Sequence, residues 1–149
     1  MYSAAAGRSS SRHRARARSA APWTALLAIT VMREEETEPA LPGLVASGSY
    51  DAFVWKGDDL GNETWCTQLG TTGPDQAFAV AADASGIYVA GATSGSLGSS
   101  PSSGANDVFV RKLGPLGNED WTTQFGSSSS DRALGAGMGA SGLYVCLLY

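Results

Sequence analysis

The chain has 149 residues and is 43% apolar, enough for one domain with a packed core. Its net charge of −4 conceals a split: residues 1–33 hold six arginines and no acid, while residues 34–149 hold four basic residues against all fourteen acids, 4 − 14 = −10. A body this acidic repels phosphate backbones and excludes nucleic acid as its partner, and 19 glycines argue for many turns and against long helices.

Residues 1–47 read as a leader. "MYSAAAGRSSSRHRARARS" is basic and free of acids, "AAPWTALLAITVM" is apolar, and "REEETEP" turns acidic. A basic stretch before a short apolar one resembles a secretory signal, although no A-x-A cleavage site follows Met32. The Arg/Ser richness also fits an organelle transit peptide, and a disordered, weakly helical or misjoined tail is the third reading. The expected location is secreted or extracytoplasmic, with organelle targeting as the alternative. The apolar stretch is shorter than the ~20 residues that a spanning helix needs, so no transmembrane segment is expected.

From residue 48 onward the elements are strands. "DAFVWK" is β-branched and aromatic, and "ETWCTQLG" alternates, with Trp65, Thr67 and Leu69 on one side and Cys66 and Gln68 on the other. "DLGN" between them is a tight-turn sequence, because glycine and asparagine tolerate positive φ. "QAFAVAAD" and "GIYVAGAT" follow, joined by "DASG". The Ser/Gly run over 94–105 reads as a loop whose length varies without touching the core. Then the pattern returns as "DVFVRK", "PLGN", "EDWTTQFG", an Ala/Gly-rich strand, "GASG" and "LYVCLLY".

The return is a repeat. Residues 48–93 align without a gap on residues 104–149, a shift of 56, with 20 identities. The shared positions include Asp51/Asp107, Phe53/Phe109, Trp65/Trp121, Gln68/Gln124, Asp75/Asp131, Gly86/Gly142 and Tyr88/Tyr144. A fixed period in the tens of residues marks a repeat architecture. Four short strands per period predict an all-β fold: two tandem four-stranded antiparallel blade equivalents of a β-propeller, over 48–149. Adjacent Phe and Val in "DVFVRK" predict a sheet that is apolar on both faces. The small residues of "QAFAVAAD" suit a crowded inner strand, and the tryptophans fill space between diverging outer strands.

The pattern DAFVxK, LGNxxWxxQ(L/F)G, ASG and YVAGAT resembles the SBBP-type β-propeller repeat. The resemblance covers residues 48–149 and implies an architecture without any shared catalytic residue. The second copy departs from it at "YVCLLY". Two units are too few for a ring of about four to eight blades, so an incomplete ring is expected: a fragment of a longer propeller, or a chain that associates with copies of itself.

Chemistry is sparse. The single histidine, His13, lies in the leader, so no Ser-His-Asp or Cys-His arrangement forms in the body. "GMGASG" matches a dinucleotide fingerprint, yet a strand-like segment follows where a helix is required. "GDDLGNE" carries oxygen ligands for calcium, but its twin "LGPLGNE" has no aspartate, so Asp51, Asp107, Asp75 and Asp131 read as turn-fixing residues. Cys66 and Cys146 form no metal or CxxC spacing and read as small buried or half-buried residues, with a disulfide as the alternative in a secreted chain. No catalytic residue, metal or cofactor is assigned. Trp55, replaced by Arg111 in the second copy, is the candidate contact residue. The expected role is a non-catalytic binding, adhesion or scaffolding surface for a protein or carbohydrate ligand. The alternative is part of a propeller-fold hydrolase or lyase whose catalytic residues lie outside this chain.

Overall fold

The computed structural model describes the strands Ala15–Ala17 and Leu26–Arg33 and residues 47, 48 and 50–149. Ten strands run in chain order: β1 (Ala15–Ala17), β2 (Leu26–Arg33), β3 (Tyr50–Gly57), β4 (Glu63–Leu69), β5 (Asp75–Asp83), β6 (Gly86–Thr93), β7 (Asp107–Leu113), β8 (Glu119–Phe125), β9 (Arg132–Gly139) and β10 (Gly142–Leu148). They form three sheets: β1-β2-β3-β4, β5-β6-β7-β8 and the hairpin β9-β10. Every strand pair is antiparallel and no helix occurs among the described residues, so the all-β expectation holds.

The repeat extends to register. Val54 faces Thr67 and Val110 faces Thr123, with the same irregularity after Lys56 and after Lys112. The hairpins β5-β6 and β9-β10 both slip by one residue, at Phe78 and at Leu134, which are 56 apart. Two parallel bridges, Tyr50 to Pro74 and Asn106 to Ser130, also map onto each other. Identical turns enforce this. Gly61 and Gly117 sit at φ 85° and 84°, in the left-handed region that costs glycine nothing. Each closes a five-residue loop, with Asp58 N–H donating to the Asn62 carbonyl (2.9 Å) and Gly114 N–H to that of Asn118 (2.8 Å).

The sheets stack in series. One core lies between the first and second sheets, formed by Ala52, Val54 and Leu69 against Ala77, Val80, Ile87, Val89, Phe109 and Leu113. A second core joins the other face of the middle sheet, through Ala79, Ala90, Val108 and Val110, to Ala133, Ala136, Leu143 and Val145 of the hairpin. Both faces of β7 are therefore buried, with the adjacent Val108 and Phe109 1% and 0% exposed on opposite sides. The stacking repeats as well: β9 lies against β5, β6 and β7, just as β5 lies against β1, β2 and β3.

Two expectations need correction. Within the leader, the two described segments are strands, not disordered or helical chain. Leu26–Arg33 pairs along all of β3, Ile29 facing Val54 and Arg33 facing Tyr50, and Ala15–Ala17 pairs with β2. An apolar run of this length does not distinguish a signal core from a buried strand. Pairing on the edge of β3 satisfies backbone groups that are costly to leave unpaired beside a core. The rest of residues 1–46 lies outside the described residues. Second, the 94–105 loop does touch the core: Leu97 is 4% exposed and packs in the first cluster.

Candidate functional site

Polar side chains that recur between the units form latches at the strand ends. Asp107 Oδ2 accepts from Ser103 N–H (2.7 Å) and Gln124 Nε2 (2.8 Å). Gln124 also donates to the Gly95 carbonyl (2.8 Å), and its Oε1 accepts the Leu97 N–H (2.7 Å). The amide thus ties the loop holding Leu97 to β7 and β8. In the first unit Asp51 Oδ2 accepts from Ser47 N–H and Gln68 Nε2, both at 2.6 Å. Asp75 and Asp131 accept in the same way from Thr71 (2.6 Å) and Ser127 (2.7 Å) backbone N–H groups. All four aspartates are buried. Burial raises the Asp75 carboxyl above its ordinary range, with the neighbouring Asp51 charge adding to the rise. Each carboxylate accepts a backbone N–H from the turn that leads into its strand. The role of the glutamine was legible only as its recurrence at positions 68 and 124.

The outer edges of the sheets carry the aromatic residues. Trp65 Nε1 donates to the Pro115 carbonyl (3.0 Å), as does Lys56 Nζ (3.2 Å), and the Lys56 ammonium stands 6.0 Å from the Trp65 ring centroid. The indole lies on Gly117, whose absent side chain leaves room: a Cβ there would stand 2.8 Å from the ring. Trp65 thereby fastens the first sheet to the β7–β8 turn of the second. Trp121, its twin, is 41% exposed and meets Tyr88 at 6.1 Å between ring centroids. Lys112 stands 6.0 Å from the Tyr88 ring and pairs with Asp120 (3.2 Å). Tyr144 is 62% exposed, and its hydroxyl bonds Ser141, as that of Tyr88 bonds Ser85. Gly86 and Gly142 open β6 and β10 with positive φ after two-residue turns. Phe53 is half-buried where Phe109 is fully buried, because among the described residues only Phe109 has a second sheet over it.

Trp55 is half-buried. Its ring covers Gly57, its Nε1 donates to Glu63 Oε2 (2.9 Å), and it lies on β3 away from Trp65 in register. Arg111, its counterpart, is held by Glu119 (3.2 Å) and Thr122 (2.7 Å). The cross-strand partner is the same in both units, Glu63 or Glu119, so this position exchanges an indole for a guanidinium on one acidic support.

The remaining motifs resolve locally. "GMGASG" runs from the end of β9 through a turn into β10, so no helix N-terminus is present to meet a phosphate. In the 58–62 turn, Asp58 Oδ1 accepts the Leu60 and Asn62 N–H groups (3.0 and 2.8 Å) and Oδ2 accepts Asn62 Nδ2 (2.9 Å). These bonds, that of the Asn62 side chain first, lower the Asp58 pKa. Among the described residues no group of three or more His, Cys, Asp or Glu is placed to hold a metal, and no helix is long and apolar enough to cross a membrane.

Both cysteines are free, Cys66 half-buried on β4 and Cys146 exposed on β10. Burial, with the Glu63 charge adding, pushes the Cys66 thiol up to about 11, so it stays protonated and weakly nucleophilic near neutral pH. Native iodoacetamide treatment followed by mass spectrometry is expected to place the first label on Cys146, with Cys66 modified rapidly only after unfolding. Equal rates in the folded chain would contradict the burial of Cys66. Compared with family models and with curated proteins, the chain matches none.

Proposed function

We propose that the chain is part of a β-propeller built from SBBP-like repeats and serves as a non-catalytic binding, adhesion or scaffolding surface, exported from the cytoplasm. The observation that carries the reading is the repetition of register, bulge position and face-to-face stacking at a shift of 56 residues. Sheets apolar on both faces and stacked in series are what propeller blades require. In this reading the small residues of β5 and β9 line the inner side, and Trp65 and Trp121 lie at the outer rim. The carboxylates of Asp51, Asp75, Asp107 and Asp131 are buried and each holds a backbone N–H on one oxygen, which keeps them from a substrate at the surface and leaves them poor general acids or bases. Partners are a protein or carbohydrate at the exposed surface, and further blades or further copies at the open ends.

The test pairs binding with turnover. The purified full chain is applied to an oligosaccharide array and, separately, to chromogenic glycoside and ester substrates. The expected result is retention of an oligosaccharide that Trp55→Ala weakens at least about tenfold, which is ~1.4 kcal/mol, with no hydrolysis above the buffer rate. Hydrolysis by the pure chain would overturn the non-catalytic reading. Retention unchanged in Trp55→Ala would remove Trp55 from the surface.

A further inference from the structure

The open side of the hairpin and the edge of β3 are complementary. A shift of 56 residues maps β6 onto β10 and β7 onto β3, so the β6–β7 pairing prescribes a β10–β3 pairing. Tyr88 opposite Lys112 becomes Tyr144 opposite Lys56, and Ala90 opposite Val110 becomes Cys146 opposite Val54. Within one chain that edge of β3 is taken by β2, in the same register: Leu27 stands opposite Lys56 and Ile29 opposite Val54. Among the described residues β10 has no partner beyond β9.

A second observation, far from that edge, points the same way. Trp65 and Lys56 receive the β7–β8 turn, with Gly117 under the indole. The equivalents one unit later, Trp121 and Lys112, receive no turn among the described residues, and Trp121 is 41% exposed. The matching turn exists in the chain, at 58–62. Its Gly61 has the same φ as Gly117, and a Cβ there would meet nothing within 4 Å. Its position 59, which corresponds to Pro115, is an aspartate, and Asp58 stands beside it. That turn is acidic where the turn at 114–118 has Gly114 and Pro115, so it brings a second carboxylate to Lys112 beside Asp120.

We infer that the hairpin β9-β10 of one copy and β3-β4 of a second copy form a composite four-stranded sheet, with the 58–62 turn of the second copy seated on Trp121 and Lys112 of the first. The strand β2 is the plug that competes for β3. This contact is head-to-tail, so it closes into a ring or grows into a filament according to the rotation between copies. Leu147 stands where Gly91 lies under the Phe109 ring, so the half-buried Phe53 ring turns aside to admit it in the composite sheet. A tethered β2 acts at an effective concentration on the order of millimolar. Copies at micromolar concentration therefore do not displace it, and the plugged chain is mainly monomeric.

The inference rests on the stacked-sheet reading and on no ligand. The test is sedimentation velocity of the full chain over a concentration series. Ile29→Pro with Thr30→Pro removes one ladder donor on each side of β2, since successive N–H groups point to opposite edges. This variant is expected to associate at least about tenfold more tightly than the natural chain, ~1.4 kcal/mol, and more weakly in high salt. Adding Trp121→Ala or Asp59→Lys is expected to return it to monomer. A monomeric double-proline variant with its β-sheet circular dichroism intact would overturn the inference, as would association indifferent to Trp121→Ala. If that variant does not fold, hydrogen exchange of the natural chain decides. Protection of 142–148 and 58–62 that grows toward about millimolar concentration, where copies rival the tethered β2, supports the composite sheet, and unchanged protection at about millimolar rejects it. Trp65→Ala separates the two readings: a melting temperature unchanged by it would count against the stacked sheets themselves.

Discussion

Phe109→Ala is expected to lower the free energy of unfolding by about 3–5 kcal/mol, the usual cost of deleting a buried phenylalanine. The ring is 0% exposed, packs in the core between the first and second sheets and rests against Gly91, where an added Cβ would lie 2.7 Å from it. No small movement closes that space, since Val54, Val89 and Leu113 around it belong to paired strands. A domain of this size has ~5–15 kcal/mol in total, so the variant loses a large part of its stability. The control is Phe53→Ala, the same substitution 56 residues earlier at a half-buried site, where roughly half that loss or less is expected because less apolar surface returns to water. Urea denaturation followed by tryptophan fluorescence measures both. Equal losses would show that the two faces are equally covered, contrary to the stacking described above.

Gln124→Leu is the second large effect. The substitution removes one acceptor and one donor at once. It leaves the buried Leu97 N–H without its acceptor and takes one donor each from the Gly95 carbonyl and Asp107 Oδ2, which keep Thr93 Oγ1 (3.5 Å) and the Ser103 N–H (2.7 Å). A buried group left unpaired costs about 1–3 kcal/mol and a lost hydrogen bond about 1 kcal/mol, so a loss of about 2–4 kcal/mol is expected. The loop that carries Leu97 is released from the sheet as a consequence, and amide exchange over 94–105 accelerates. Gln68→Leu, with one hydrogen bond to Asp51 at a half-buried site, is expected to lose about 1 kcal/mol. Denaturant midpoints and exchange mass spectrometry provide the comparison. A Gln124→Leu chain with normal stability and a protected loop would remove the latch from the account.

Much of this architecture was legible in the residues. Alternation in "ETWCTQLG" and "EDWTTQFG" located β4 and β8, and Gly-Asn and Ser-Gly pairs located the turns between strands. Adjacent Val and Phe in β7 announced a sheet buried on both sides. The site was less legible. Trp65 and Trp121 are the same residue at the same repeat position, yet one is fastened to a neighbouring turn and the other is 41% exposed. Sequence marks their equivalence and says nothing of what stands opposite each. Leu97 escaped notice because a lone leucine in a Ser/Gly run has no periodicity, and its burial depends on a hydrogen bond to a residue 27 positions away.

Strand, turn and register are set by interactions between near neighbours: side chains alternate every residue, and positive φ is open chiefly to glycine. These properties repeat with the residues, so the 56-residue period carried them from one unit to the next. Which strand fills an empty edge is a different kind of question, since any apolar β-forming segment within reach competes for it. The tertiary structure settled that competition: Leu26–Arg33 pairs along β3, and the exposure of Phe53, Trp121 and the hairpin followed from which sheets had neighbours.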